Sequence, residues 1–222
     1  MSVVRLLRVA CLAGVLACFA AGCAVVPGEP ANLDVRKADV RAYYESGGYL
    51  RGITDVAAEA RAWIEERTAR ASAGERLAIV FDLDETLISN WEEISQSDFT
   101  YLPPVWDAWV EAARAPAIEP MREVYRAARQ RGLRIFILTG RPETQRSATE
   151  RNLRAIGCSE YAALICKPDG PGTLAAFKTA ARRRLAAEGY AIVANVGDQA
   201  SDLTGGFAER TFKLPDPFYL SN

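Results

Sequence analysis

The apolar run Leu77-Ala78-Ile79-Val80-Phe81 leads directly into Asp82-Leu83-Asp84-Glu85-Thr86. A short apolar run with β-branched residues, bounded by polar ones, reads as a buried strand. Its C-terminal end is where open parallel sheets place their ligand sites. Two carboxylates one residue apart repel unless a cation or a shared proton stabilises them. A chain that buries such a strand is organised around whatever partners those aspartates.

The rest of the chain repeats the strand pattern at intervals. Leu133–Leu138, Ala163–Cys166 and Ala191–Val196 read as further buried strands, and Arg210–Leu214 as a fifth, before a Pro-rich tail. Between them lie helical stretches: Pro120–Arg131 ended by Gly132, a helix from Pro142 to Ile156 closed by Gly157, and Thr173–Glu188 ended by Gly189. Upstream, a polar helix over Asp34–Tyr44 stops at Gly47-Gly48. An amphipathic helix over Ile53–Arg70 then repeats Val56, Ala60, Trp63 and Ile64. This alternation predicts an α/β fold, a parallel sheet with helices on both faces. Residues 88–118 show no clear period except a short helix over Val105–Arg114, and they stand at the site's edge, as a small helical cap would. Trp91, Phe99, Tyr101, Trp106 and Trp109 either line a pocket there or pack the cap onto the core; the helical spacing of Trp106 and Trp109 favours packing.

Composition narrows the chemistry. Among 222 residues there is no histidine. That excludes Ser-His and Cys-His nucleophile pairs and imidazole zinc sites. The net charge is −1, without acidic or basic blocks, so nothing points to nucleic acid as a partner. Of the five cysteines, Cys158 and Cys166 lie in the body, and no CxxC occurs. They read as either a disulfide or two small buried thiols, with the strand-like setting of Cys166 favouring thiols.

The N-terminus reads as an address. Arg5 and Arg8 precede an apolar run, Val9–Ala21, which is short for a membrane span. Residues 1–22 are expected to be a signal peptide. Ala20-Ala21-Gly22-Cys23 resembles a lipobox with Cys23 lipidated; Val15–Cys18 is a second candidate, and plain cleavage near Ala21 or Ala24 the alternative. Cleavage before Cys23 removes two arginines and no acids, taking the net charge from −1 to −3. Residues 23–33 then form a tether and 34–222 one domain. The mature protein is expected beyond the bacterial inner membrane, periplasmic or at the cell surface, anchored by lipid to the outer membrane.

Polar groups stand at two more strand ends. Leu138 leads into Thr139-Gly140-Arg141-Pro142: a hydroxyl, a glycine allowing close backbone approach, and a helix N-terminus suited to an anion. Val196 leads into Gly197-Asp198-Gln199-Ala200-Ser201-Asp202, a turn with two carboxylates four apart. Taken singly, the Asp198–Asp202 pair would be a helix cap and Thr139 a turn residue. Taken together, the strand ends offer hard oxygen ligands that suit Mg2+, which relieves the repulsion among Asp82, Asp84 and Asp198. Phosphate fits between that cation, Thr139, backbone N–H groups and a lysine, as at a phosphoryl-transfer site.

These stretches resemble motifs I, II and IV of the haloacid dehalogenase (HAD) superfamily, and narrow to its acid phosphatase branch. That branch holds bacterial class C acid phosphatases and plant acid phosphatases related to vegetative storage proteins. Trp106-Asp107-Ala108-Trp109-Val110, Arg141-Pro142-Glu143, Phe177-Lys178, Glu188-Gly189-Tyr190 and Phe212-Lys213-Leu214-Pro215 are similar to it as well. The resemblance implies a HAD-like Rossmannoid sheet and a Mg2+-dependent phosphomonoesterase working through an aspartyl-phosphate, with nucleotides among the candidate substrates. Asp82 is implied as nucleophile and Asp84 as the acid and base. Thr139, with Gly140 and Arg141, would bind substrate. Lys178 would offset charge, with Lys167 the other candidate for that role. Asp82, the Asp84 carbonyl and Asp198 would hold the metal, and Asp202 would order a metal water or hold Lys178. Class C enzymes place a tyrosine shortly after the position of Asn90; this chain has Trp91, Glu92 and Glu93. The alternatives are a non-catalytic storage-protein-like relative, or a phosphotransferase on the same site.

Overall fold

Strands β1 (Arg76–Phe81), β2 (Arg134–Pro142), β3 (Ala163–Lys167), β4 (Tyr190–Gly197) and β5 (Arg210–Lys213) run parallel in the order β3-β2-β1-β4-β5. They come from a computed structural model, which describes residues 30–221. The expected signal segment, Cys23 and most of the tether lie outside the described residues. The compact body begins at Leu33.

Alternation along β1 sends its side chains to two layers. Ile79 and Phe81 face a core shared with α2 (Gly48–Ala69) and, beyond the cap, α5 (Glu119–Gln130), through Ile53, Ile64, Met121 and Val124. Ala78 and Val80 face the other layer, where α7 (Leu174–Ala187) contributes Ala181 and Leu185. Each fully buried aliphatic side chain contributes about 1.5–3 kcal/mol relative to exposure, so both faces of β1 hold it in place. Helices therefore cover both faces, as a near-continuous apolar strand demands.

Several elements differ from expectation. Helix α2 begins at Gly48, five residues early, because Gly47 alone makes the break at φ 74; the polar α1 (Leu33–Glu45) precedes it. Strand β2 runs on to Pro142 through a register shift after Thr139, instead of turning there. A 3-10 turn, Glu143–Gln145, separates it from α6 (Arg146–Ala155), so the expected helix N-terminus does not sit beside Thr139. The cap contains an unforeseen α3 (Trp91–Gln96) before α4 (Pro103–Ala112). Hydrogen bonds Ser89 N to Pro116 O (2.9 Å) and Ile118 N to Leu87 O (3.0 Å) close its base.

Cys158 and Cys166 are free, buried thiols. Among the described residues, no helix is long and apolar enough to cross a membrane.

Candidate active site

Register brings the polar groups together. Phe81 pairs with Ile137 on one side and Val196 on the other, so Asp82, Thr139 and Asp198 stand at nearly the same level of the sheet. The chain runs outward from β1 to β3, then returns to β4 on the far side of β1. The crevice between β1 and β4 is the switch point where such sheets bind ligands.

Four charged side chains meet there, all buried. Lys178 Nζ lies 2.5 Å from Asp82 Oδ1 and 2.5 Å from Asp202 Oδ1. Asp82, Asp198 and Asp202 offer carboxylate oxygens within 4.8 Å of one another. Thr86 Oγ1 stands 3.3 Å from Asp82 Oδ2 and 3.2 Å from Asp198 Oδ1. A hydroxyl has one proton, so it donates to only one of the two carboxylates at a time. Burial, then the Asp202 charge, push Asp82 up to about 7, with Lys178 pulling the other way. Burial, then Asp82 and Asp202, push Asp198 well above the usual carboxylate range. Burial works to lower Lys178, but the Asp82 and Asp202 charges outweigh it and hold the ammonium above its ordinary value.

This donor set fits a hard divalent cation. With all three carboxylates ionised against one ammonium the set carries a net charge of −2, which a cation would offset, and every ligand atom is an oxygen. Among the described residues no cation pairs with Asp198, whose carboxylate meets Thr86 Oγ1, Gln199 Nε2 (2.6 Å) and the Asp216 carboxyl. Asp202 is already engaged, one oxygen by Lys178 and the other by Gln199 N at 2.8 Å. Of the two roles open to Asp202 in the sequence, the structure displays the grip on Lys178. Gly197 is required by this packing, since a Cβ there would overlap the Asp202 side chain.

Asp84 sits apart from the ammonium, under Arg141. The Arg141 Nη2 and Nε donate to its carboxylate at 2.6 and 3.1 Å, Nη1 donates to Thr149 Oγ1 at 3.2 Å, and the side chain is buried. Asn90 Nδ2 adds a bond to Asp84 Oδ1 at 3.0 Å, and Trp109 Nε1 fixes Asn90 by donating to its Oδ1 at 2.8 Å. Thr139 is fully buried, its Oγ1 accepting from Arg141 N at 3.1 Å. Above these groups lies a cavity of about 630 Å³, reached by Gly140 and Arg141 from β2 and by Asp82, Asp84, Lys178 and Asp198. Lys178 reaches Asp82 and Lys167 stays at the end of β3, so the ammonium in the site is that of Lys178.

Residues 13–222 match the family described as HAD superfamily, subfamily IIIB (acid phosphatase). The chain belongs to this family. As a member it is a phosphomonoesterase of the acid phosphatase type. It is 34% identical over 186 residues to Acid phosphatase 1 of Solanum lycopersicum, covering 81% of this chain and 72% of that protein. It is 37% identical over 148 residues to the Stem 28 kDa glycoprotein of Glycine max, covering 63% of this chain and 58% of that one. Vegetative storage protein 1 of Arabidopsis thaliana is 32% identical over 145 residues, and the chain spans 54% of its length. The class C acid phosphatase from Bacillus anthracis shares the fold, with a TM-score of 0.72 at 22% identity, over 84% of this chain and 86% of that one.

Several groups in this acid phosphatase site escaped sequence reasoning. Glu85 follows Asp84 at φ 52, a left-handed conformation that costs an L-residue about 1–2 kcal/mol. Its buried carboxyl accepts from Asn90 N (2.6 Å), Asn90 Nδ2 (3.0 Å) and the Tyr219 hydroxyl (2.7 Å). Burial, then the Asp84 charge, push it up to about 8. The Pro-rich tail is thus a wall of the cavity, with Phe218, Tyr219 and Leu220 lining it. Asp216 latches the tail to Gln199 Nε2. Trp109 packs as expected. Trp106 departs from expectation: it lines the cavity and lies over the Arg141 guanidinium, 5.5 Å from ring centroid to Cζ. Trp91 instead stacks on Tyr44 at 3.9 Å.

Proposed function

We propose that the chain hydrolyses phosphomonoesters through a phosphoryl group carried on Asp82. The observation that carries this reading is the Lys178 ammonium on Asp82, beside a second carboxylate, Asp84, held by its own partners. Asp82 attacks phosphorus; the new P–O bond to its carboxylate replaces the ester P–O bond. Asp84 gives its proton to the departing alcohol oxygen and then takes one from the water that attacks the acyl phosphate, releasing phosphate and freeing Asp82. Lys178 keeps Asp82 oriented and offsets charge on the transferring group. Thr139 is proposed to serve the phosphoryl oxygens, with Gly140 and Arg141 bordering the substrate and Arg141 holding Asp84. Asp82, Asp198 and the Asp84 carbonyl would hold Mg2+, which when bound neutralises phosphate charge; Asp202 would serve it only at one remove.

The walls favour an organic leaving group with a flat ring. Phe99, Tyr101, Trp106, Phe218 and Tyr219 supply aromatic surface beside the phosphate position, which suits aryl phosphates and nucleotides. The chemistry of the site, with nucleophile and ammonium both present, speaks for an enzyme over a storage role; a phosphotransferase would differ only in the acceptor alcohol. We also propose that the protein is exported, and anchored to the membrane if Cys23 is lipidated; palmitate labelling lost in Cys23→Ser tests the anchor.

Asp82→Asn is expected to reduce p-nitrophenyl phosphate hydrolysis by at least about 10⁴-fold with the fold intact by circular dichroism. EDTA should stop the wild-type enzyme, and added Mg2+ should restore it. Turnover at the wild-type rate in Asp82→Asn would overturn the mechanism; full activity after exhaustive chelation would remove the metal.

A further inference from the structure

Helix α7 meets the turn around Asp202 at more than the lysine. Lys178 and Arg182 are four residues apart, on one face of that helix. Lys178 takes the Asp202 carboxylate at 2.5 Å. Arg182 takes the same residue's backbone carbonyl, Nη1 donating at 2.5 Å. Its Nε donates to the Gly206 carbonyl at 3.0 Å, and its Nη2 to that of Thr204. Asn195 Nδ2 of β4 adds a second bond to the Asp202 carbonyl at 2.9 Å. Thr179 Oγ1 donates to the Thr204 carbonyl at 3.0 Å. Gly205, at φ 88, lies so close to Thr179 that a Cβ would overlap it.

Arg182 is 0% exposed, and among the described residues no ion pair joins it to a carboxylate. A buried guanidinium without a counter-charge is costly. Here the compensation is the carbonyl end of α8 (Ala200–Leu203), where the last turn carries partial negative charge. A four-residue helix has too few internal hydrogen bonds to hold itself, so its geometry is imposed from outside. The cation that imposes it does not line the cavity.

We propose that Arg182 is a positioning residue for the reaction: by holding the carbonyls of Asp202, Thr204 and Gly206 it fixes the Asp202 carboxylate on Lys178, and thereby the Lys178 ammonium on Asp82. The two cations form a clamp from one helix face, one prong on the side chain of Asp202 and one on its backbone. The clamp rests on the reading of Asp82 as phosphoryl acceptor.

Arg182→Met keeps the aliphatic stem and removes the donors. Steady-state kinetics with p-nitrophenyl phosphate, on protein that near-ultraviolet circular dichroism shows to be folded, should give kcat about 30-fold lower with KM within about threefold. A purely structural role would lower Tm and leave kcat per folded molecule at the wild-type value, and that result overturns the proposal. Should Arg182→Met fail to fold, Arg182→Lys carries the test, since it keeps charge and stem but reaches fewer carbonyls. A kcat at least about fivefold below wild type at unchanged KM supports the clamp, and a wild-type kcat overturns it. Asp82→Asn run alongside separates the two ideas: hydrolysis surviving there removes the acceptor reading, whereas wild-type kcat in folded Arg182 variants removes the clamp alone.

Discussion

Asp82, Lys178, Asp198 and Asp202, at the floor of the cavity, are each less than a tenth exposed, and each is held by partners distant in the chain, Asp198 by Thr86. Around its rim, Tyr101 is 69% exposed, Tyr219 36% and Leu220 89%. The floor is charged and stands on strand ends and one helix face, while the rim is aromatic and comes from the cap and the tail. Charges buried among charges have no freedom to move without cost, so the floor suits chemistry that requires fixed geometry. Rings at a half-exposed rim bind by area, and area is tolerant of shape. The two regions should therefore fail differently when altered.

The largest effect is expected on the floor. Lys178→Met removes the ammonium that Asp82 and Asp202 share. It should cost about 3–5 kcal/mol of stability in metal-free protein, measured by urea unfolding, and about 10²–10³-fold in kcat. A variant as stable and as active as wild type would show that the floor carbonyls and hydroxyls suffice without it. A smaller effect is expected at the rim. Tyr219→Ala should raise KM for p-nitrophenyl phosphate roughly tenfold, the equivalent of about 1–2 kcal/mol of lost ring contact, with kcat little changed. Inhibition by inorganic phosphate, which has no leaving group, should stay the same; parallel weakening of phosphate would place Tyr219 in the floor's machinery. The smallest effect lies away from both. Burial pushes the Cys158 thiol up to about 11, so at pH 8 it is protonated and unreactive, and burial raises Cys166 likewise. Neither should react with Ellman's reagent until urea unfolds the chain; rapid labelling of the folded protein would show that this part opens readily.

The same division governs what the sequence reveals. Asp82, Asp84, Thr139 and Asp198 were legible because each follows an apolar run, and a parallel strand announces its own C-terminal end. Lys178 was legible only by resemblance, since nothing in a helix's periodicity says which lysine reaches a strand end. Helix α3 and the tail were not legible: Trp91–Gln96 is too short to display a period, and the Pro-rich tail acquires its role only when Tyr219 meets Glu85 across the fold. Trp106 followed a core-like spacing, yet its ring lies over Arg141, because amphipathic spacing identifies a face and not what that face covers. The extension of β2 past Thr139 was hidden by Gly140 and Pro142, which read as a turn but here continue an irregular strand beside β3.

The most direct test traps the phosphoryl group where it is carried. Enzyme quenched in acid during turnover of p-nitrophenyl phosphate, then denatured, reduced with borohydride and digested, can be read by mass spectrometry, since an acyl phosphate on an aspartate is reduced to homoserine. Homoserine is expected at position 82 in protein caught during turnover, and unmodified aspartate there in protein that has met no substrate. Homoserine at position 84, or at neither position while hydrolysis proceeds, would contradict a phosphoryl group carried on Asp82.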